Sequence, residues 1–175
     1  MYIPYAKQSI NKADINSVKK VLKSDFITQG EITKKFEKLI CKTVNSKYVC
    51  VVNSATSGLH LACKLLNLKS NDSVWTSANT FVSTANVIEH CGAKVDFIDI
   101  NEDGNISIEH LKKKLEKTNK KKLPKAIIAV HIAGLSCEMK KLFKLKKKYK
   151  FKIIEDASHA LGATFENLPV GSCKY

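Results

Sequence analysis

Three stretches of this chain gather residue types that can bind anions or move protons. The first is Asn53-Ser-Ala-Thr-Ser-Gly58, small and hydroxylated residues that follow an apolar run and lead into a helical pattern. The free amides and positive dipole end of such a helix suit a phosphate, and the hydroxyls of Ser54, Thr56 and Ser57 can donate to it. The plainer reading is an ordinary helix cap, since Ser and Thr are common there. The second stretch is Ile153-Ile-Glu-Asp-Ala-Ser-His159, where two carboxylates and an imidazole follow a buried strand. An ionised Asp156 at a strand end can hold a heterocyclic nitrogen protonated, or serve in acid/base or metal chemistry. Its plainer reading is a capping carboxylate beside an internally bonded histidine. The third is Asn79-Thr-Phe81, where Phe81 could present a flat ring to a ligand or simply fill the core. His131 closes another apolar run and points toward the same rim, or else is bonded within a loop. No Ser-His-Asp order, Walker pattern or G-x-G-x-x-G is present, so neither a P-loop nor a dinucleotide fingerprint is expected. His60 and His90 fall on helical faces as packing or surface residues.

The elements that must position these residues alternate in period. Asn11 with Asp14 opens a helix through Ile15, Val18, Val21 and Leu22, and a second follows Gly30 with Ile32, Phe36, Leu39 and Ile40. Strands are expected at Tyr48–Val52, Val74–Thr76, Lys94–Ile98, Ala126–Val130 and Phe151–Ile154. Helices fall between them: one with Leu59, Ala62, Cys63 and Leu66, then about 80–91, 107–117 and 138–149. In the last, Met139, Leu142, Phe143, Lys146 and Tyr149 form the inward stripe. Apolar strands alternating with amphipathic helices imply an α/β fold, a three-layer sandwich whose mostly parallel sheet is covered on both faces. Ligands of such sheets bind beyond the carboxyl ends of the strands, where all the stretches above lie.

Composition narrows the class. The 175 residues are 44% hydrophobic and 7% aromatic, enough for one ordinary core. No apolar run approaches the ~18 residues of a membrane span. The opening Met-Tyr-Ile-Pro-Tyr lacks a secretory pattern, so a cytoplasmic protein without a membrane partner is expected. Cys41, Cys50, Cys63, Cys91, Cys137 and Cys173 include no C-x-x-C pair and are read as buried thiols, with neither disulfides nor zinc. The net charge of +14 raises a polyanion partner. However, the basic residues are all lysine, concentrated in Lys112–Lys125 and Lys140–Lys152, and read as solvated helix backs; nucleic acid is not expected.

The motifs in order resemble a known family. Ile3-Pro-Tyr-Ala-Lys-Gln-Ser9, Asp25-Phe-Ile-Thr-Gln-Gly30, Asn53-Ser-Ala-Thr-Ser-Gly-Leu-His60, Thr80-Phe-Val-Ser-Thr-Ala-Asn86, Gly92-Ala with Val95–Asp99, Glu155-Asp-Ala-Ser-His-Ala-Leu-Gly-Ala163 and Val170-Gly-Ser172 are similar to the DegT-type sugar-nucleotide aminotransferases. These are pyridoxal 5'-phosphate enzymes of the aspartate aminotransferase fold. The resemblance implies an N-terminal arm and helix over residues 1–30, and a partial cofactor-binding large domain of fold type I over residues 31–175. It implies Ala55 and Thr56 on the cofactor phosphate, Phe81 stacked over the pyridine ring, Asp156 on the ring nitrogen and His159 near the phenolic oxygen. Tyr5 and Asp25, Phe26, Ile27 and Thr28 would contact substrate.

The implied reaction moves an amino group from glutamate to a 4-keto-6-deoxy sugar nucleotide, in a homodimer when full length. The family's Schiff-base lysine is expected beyond the motif begun by Gly171-Ser-Cys173, past Tyr175, because Lys174 lies too early. The 175 residues alone are therefore expected to be inactive. Trp75 and Asn79 also depart from the family pattern. An inert remnant and a basic polyanion-binding module are the alternative readings.

Overall fold

The computed structural model describes residues 7–172. In chain order the elements are α1 (Lys12–Leu22), α2 (Glu31–Thr43), α3 (Ala55–Leu65), β1 (Ser73–Ser77), α4 (Val82–His90), β2 (Lys94–Ile98), α5 (Ile108–Lys117), β3 (Ala126–Val130), α6 (Met139–Tyr149), β4 (Lys152–Asp156), and a hairpin of β5 (Thr164–Phe165) and β6 (Leu168–Pro169). The main sheet is wholly parallel, in the order β2-β1-β3-β4. Strand order reverses between β1 and β3, so a crevice is expected beyond the ends of those strands.

Period-2 alternation divides the strands between two cores. Trp75, Ile98, Ile127 and Ala129 pack against α5 and α6 through Leu111, Leu115, Met139, Leu142 and Leu145. Val74, Ala126 and Ile128 face the other way, toward Leu59 and Cys63 of α3 and Val87 and Ile88 of α4. The sandwich of three layers is thus present as the sequence implies. Leu145 belongs to the buried stripe of α6, while Phe143, Lys146 and Tyr149 are only half-buried.

The first two helices form where expected, and α1 opens on a complete capping box: Asn11 accepts from Ala13 and Asp14, and Asp14 accepts from Asn11. Their apolar faces are not buried, however. Ile15, Val18, Leu22, Ile32, Phe36 and Leu39 are all exposed among the described residues.

Two expectations need correction. Tyr48–Val52 is not a strand: no neighbouring strand pairs with it among the described residues. The Val51 amide instead donates to Glu37 at 3.0 Å. Nor are the thiols uniformly buried: Cys63 and Cys137 are, Cys41 and Cys91 are intermediate, and Cys50 is exposed because it lies on that unpaired segment. Cys173 falls outside the described residues.

Candidate functional site

The N-terminus of α3 is organised by its own side chains. Ser54 caps it, accepting from the Ser57 amide at 3.2 Å, and Ser57 Oγ donates to Asn53 Oδ1 at 2.7 Å. Because Ser57 has spent its one hydroxyl proton, the 3.1 Å Ser54–Ser57 contact takes its proton from Ser54. Two of the three hydroxyls that could hold an anion are therefore consumed in the turn. What remains for a ligand is the exposed Thr56 hydroxyl and the Ala55 and Thr56 amides, none of which has an acceptor among the described residues.

Ala55, Gly58, Leu59 and Ala62 recur at helical spacing along one side of α3, and small residues dominate that stripe. They line a cavity of about 220 Å³ whose other wall is Ile154-Glu-Asp-Ala-Ser158, the end of β4 and the loop after it. The phosphate-suited turn and Asp156 thus meet on one rim. Phe81, the N-cap of α4, is 70% exposed and does not line this cavity. His159 is exposed and lies just beyond Ser158, while Asp25, Phe26, Ile27 and Thr28 form an exposed stretch that the structure does not bring to the cavity. Tyr5 lies outside the described residues.

Asp156 is the last residue of β4 rather than a loop residue, paired in register with Val130, and is 7% exposed. Its Oδ1 accepts from the Ser158 amide at 3.2 Å and the Ser158 hydroxyl at 2.5 Å. Its Oδ2 accepts from Thr84 Oγ1 at 3.2 Å, and Thr84 in turn accepts from Thr80 at 2.9 Å. A carboxylate offers about four acceptor positions, so three bound donors leave room for one more.

Behind Asp156 lies a second polar cluster. His131, wholly buried, receives the Cys137 amide on Nδ1 at 3.0 Å. Its proton therefore sits on Nε2, which faces Glu155 Oε2 at 3.2 Å. The same Glu155 oxygen accepts from the Gly171 amide at 3.2 Å. Cys137 donates from Sγ to the Val130 carbonyl, and burial pushes its thiol up to about 12. His131 is thus a bonded interior histidine and does not face the rim. His60 and His90 sit edge-to-face, 6.3 Å apart. Gly134, at φ +86°, brings its Cα close to the His159 carbonyl, where an added Cβ would lie 3.0 Å from that oxygen.

Sequence reading missed Thr84, Ser158 and the His131–Glu155 pair. Thr80 and Thr84, four apart at the start of α4, carried a usable signal for the first of these. The others depend on pairing across the sheet.

Comparison with known proteins fits this geometry. Residues 8–174 match the model of the DegT/DnrJ/EryC1/StrS aminotransferase family, and the chain belongs to that family. It is 42% identical over 170 residues to the UDP-4-amino-4,6-dideoxy-N-acetyl-beta-L-altrosamine transaminase of Campylobacter jejuni, covering 97% of this chain and 44% of that protein. Among solved structures it is similar to Helicobacter pylori PseC, an aminotransferase of pseudaminic acid biosynthesis (TM-score 0.87, 34% identity, 95% of this chain and 44% of that one). It is also similar to a Streptococcus pneumoniae protein described as a sugar aminotransferase, in its PLP form (TM-score 0.88, 30% identity, 98% and 46%). The chain spans under half the length of these relatives.

The family's cofactor is pyridoxal 5'-phosphate. The residues present suit it. Unengaged donors at a helix N-terminus match a phosphate, and a buried carboxylate with one acceptor position left matches a protonated ring nitrogen.

Proposed function

We propose that this chain is the cofactor-binding part of an aminotransferase that moves an amino group from glutamate to a 4-keto-6-deoxy sugar nucleotide, in amino-sugar biosynthesis of the pseudaminic acid type. The observation that carries this reading is the shared cavity of Asp156 and the α3 N-terminus. Similarity to the Campylobacter and Helicobacter enzymes supports the substrate class.

In this reading the Ala55 and Thr56 amides and the Thr56 hydroxyl hold the cofactor phosphate, aided by the dipole of α3. Asp156 holds the proton of the pyridine nitrogen. Thr84 and Ser158 fix the plane of that carboxylate, so its remaining acceptor position faces the cavity. Phe81, the N-cap of α4, would cover the cofactor ring, and His159, just beyond Ser158, would serve its phenolic oxygen. When bound, the cofactor supplies an electron sink, which a protonated nitrogen makes effective. Tyr5 and Asp25–Thr28 contact the sugar nucleotide. Residues 1–30 act as an arm and helix ahead of the large-domain part formed by 31–175. The complete enzyme works as a cytoplasmic homodimer, and the 175 residues alone do not turn over.

The test is an assay of the complete protein with glutamate and a UDP-linked 4-keto-6-deoxy sugar, reading amino-sugar formation. Production is expected, and Asp156→Asn is expected to lower kcat by about 100-fold or more. Absence of product from a folded, cofactor-loaded protein would count against the proposed reaction.

A further inference from the structure

The positive charge is concentrated in one segment of the chain, and part of it collects at one end of the sheet. Between Ile108 and Lys152 lie 16 of the 30 lysines and only three acidic residues, Glu109, Glu116 and Glu138, a net +13; the remaining 14 lysines and 13 acids leave +1 for the rest. This segment is α5, β3, α6 and the start of β4. A helix joining two adjacent parallel strands must run back against them, so α6 ends where β4 begins.

A hydrogen-bonded row marks that pole. The Lys94 amide donates to Asp72, Lys125 to Ser73, and Lys152 to Lys125. Lysine therefore stands at the entrance of β2, β3 and β4. Lys117, Lys121, Lys122 and Lys148 add to it from the ends of α5 and α6 and the turn at Lys120–Lys122, all exposed and without an ion pair among the described residues. Asp72, the carboxylate in the row, is already held by Lys125 at 2.8 Å.

Complementing a helix C-terminus accounts for some lysines in a last turn. It does not account for those at strand entrances or in the turn before β3. The catalytic rim proposed above lies at the carboxyl ends of the strands, so this pole is free of it.

We propose that the basic pole is a docking surface for an anionic lipid bilayer, binding peripherally. The charges come from several elements set side by side, which suits an extended charged plane. There is no arginine, the residue whose bidentate fork reads bases and grips individual phosphates. Lysine attraction to an anionic leaflet needs only proximity, about 1 kcal/mol per residue near the surface. Tyr149, half-buried at the end of α6 with the Lys148 ammonium 5.1 Å from its ring centroid, supplies the amphipathic ring that such interfaces accommodate. Docked this way, the molecule would turn its cavity toward water.

Sedimentation with vesicles of mixed phosphatidylglycerol and phosphatidylcholine tests this. The protein is expected to pellet with them at low salt, to be released steeply by NaCl, and to ignore pure phosphatidylcholine. Lys117→Glu, Lys121→Glu, Lys122→Glu and Lys148→Glu combined should weaken binding by about tenfold or more. A control with the same total charge, Lys19→Glu, Lys20→Glu, Lys35→Glu and Lys38→Glu on α1 and α2, should retain most of it. Three outcomes would overturn the proposal: failure of the unaltered protein to sediment at low salt, equal loss in the control, or tighter binding to duplex DNA at matched salt.

Discussion

The imidazole of His131 and the carboxylate of Glu155 meet at 3.2 Å with side chains 0% and 2% exposed, immediately behind the residue proposed to hold the cofactor nitrogen. The pair ties the end of β3 to β4, and through the Gly171 amide it ties both to the segment after the hairpin. Removing one partner of such a buried pair leaves the other in a poorly solvating interior. His131→Leu is expected to cost about 3 kcal/mol or more of unfolding free energy, read from urea denaturation. A loss within error of zero would show that the contact is not structural.

Thr84 should act on the site through Asp156. Thr84→Val keeps the shape of the side chain but removes the 3.2 Å donation to Oδ2. A loss of about 1 kcal/mol is expected, seen as several-fold weaker cofactor binding in the complete protein. Thr84→Ser, which keeps the hydroxyl, should restore most of it. An equal loss in both variants would point to packing instead.

Thiol reactivity should follow burial. Burial raises Cys63 to about 11 and Cys137 to about 12, so neither carries appreciable thiolate near neutrality. Titration with an aromatic disulfide reagent should modify exposed Cys50 first, and Cys63 and Cys137 only on unfolding. Peptide mapping of the labelled protein would read the order, and early labelling of Cys137 would contradict it.

Asp72 links stability to acid. Hydrogen bonding to Lys125 holds its carboxyl below the usual range. A depressed folded pKa stabilises the protein above the unfolded value of about 3.9, and this contribution disappears as pH falls through the folded value. Asp72→Asn should therefore cost up to about 1 kcal/mol at pH 7. The difference from the unaltered protein should shrink below about pH 4 in thermal melts. A constant difference across that range would rule the linkage out.

Much of this architecture was legible in residue order, and the exceptions share a cause. Helices α3 to α6 and the strands of the parallel sheet follow from periodicity, because each buries its apolar stripe against a neighbour within the described residues. Tyr48–Val52 has the composition of a strand but no paired neighbour among the described residues, and the amphipathic faces of α1 and α2 stay largely exposed among them. Pattern reports what a segment is fit to bury, and burial needs a partner.

At the site, Asp156 and Thr56 stood out because their types recur at strand ends and helix starts, Ala55 was implied by the family resemblance, and the structure sets Asp156 and Ala55 around one cavity. The cap reading of this turn was legible, but not how Ser54 and Ser57 divide their protons within it, since three hydroxyls in four residues can share them in several ways. Nor was His131 with Glu155, whose meeting depends on the β3–β4 register.

The missing side chain of Gly134 has a consequence for how this protein can vary. Any larger residue there must displace the backbone of His159, one position after the edge of the cavity. A loop 25 positions upstream therefore sets the tolerance of the motif that ends β4, and efforts to reshape that motif by mutation should find compensating changes around Ala133 and Leu135.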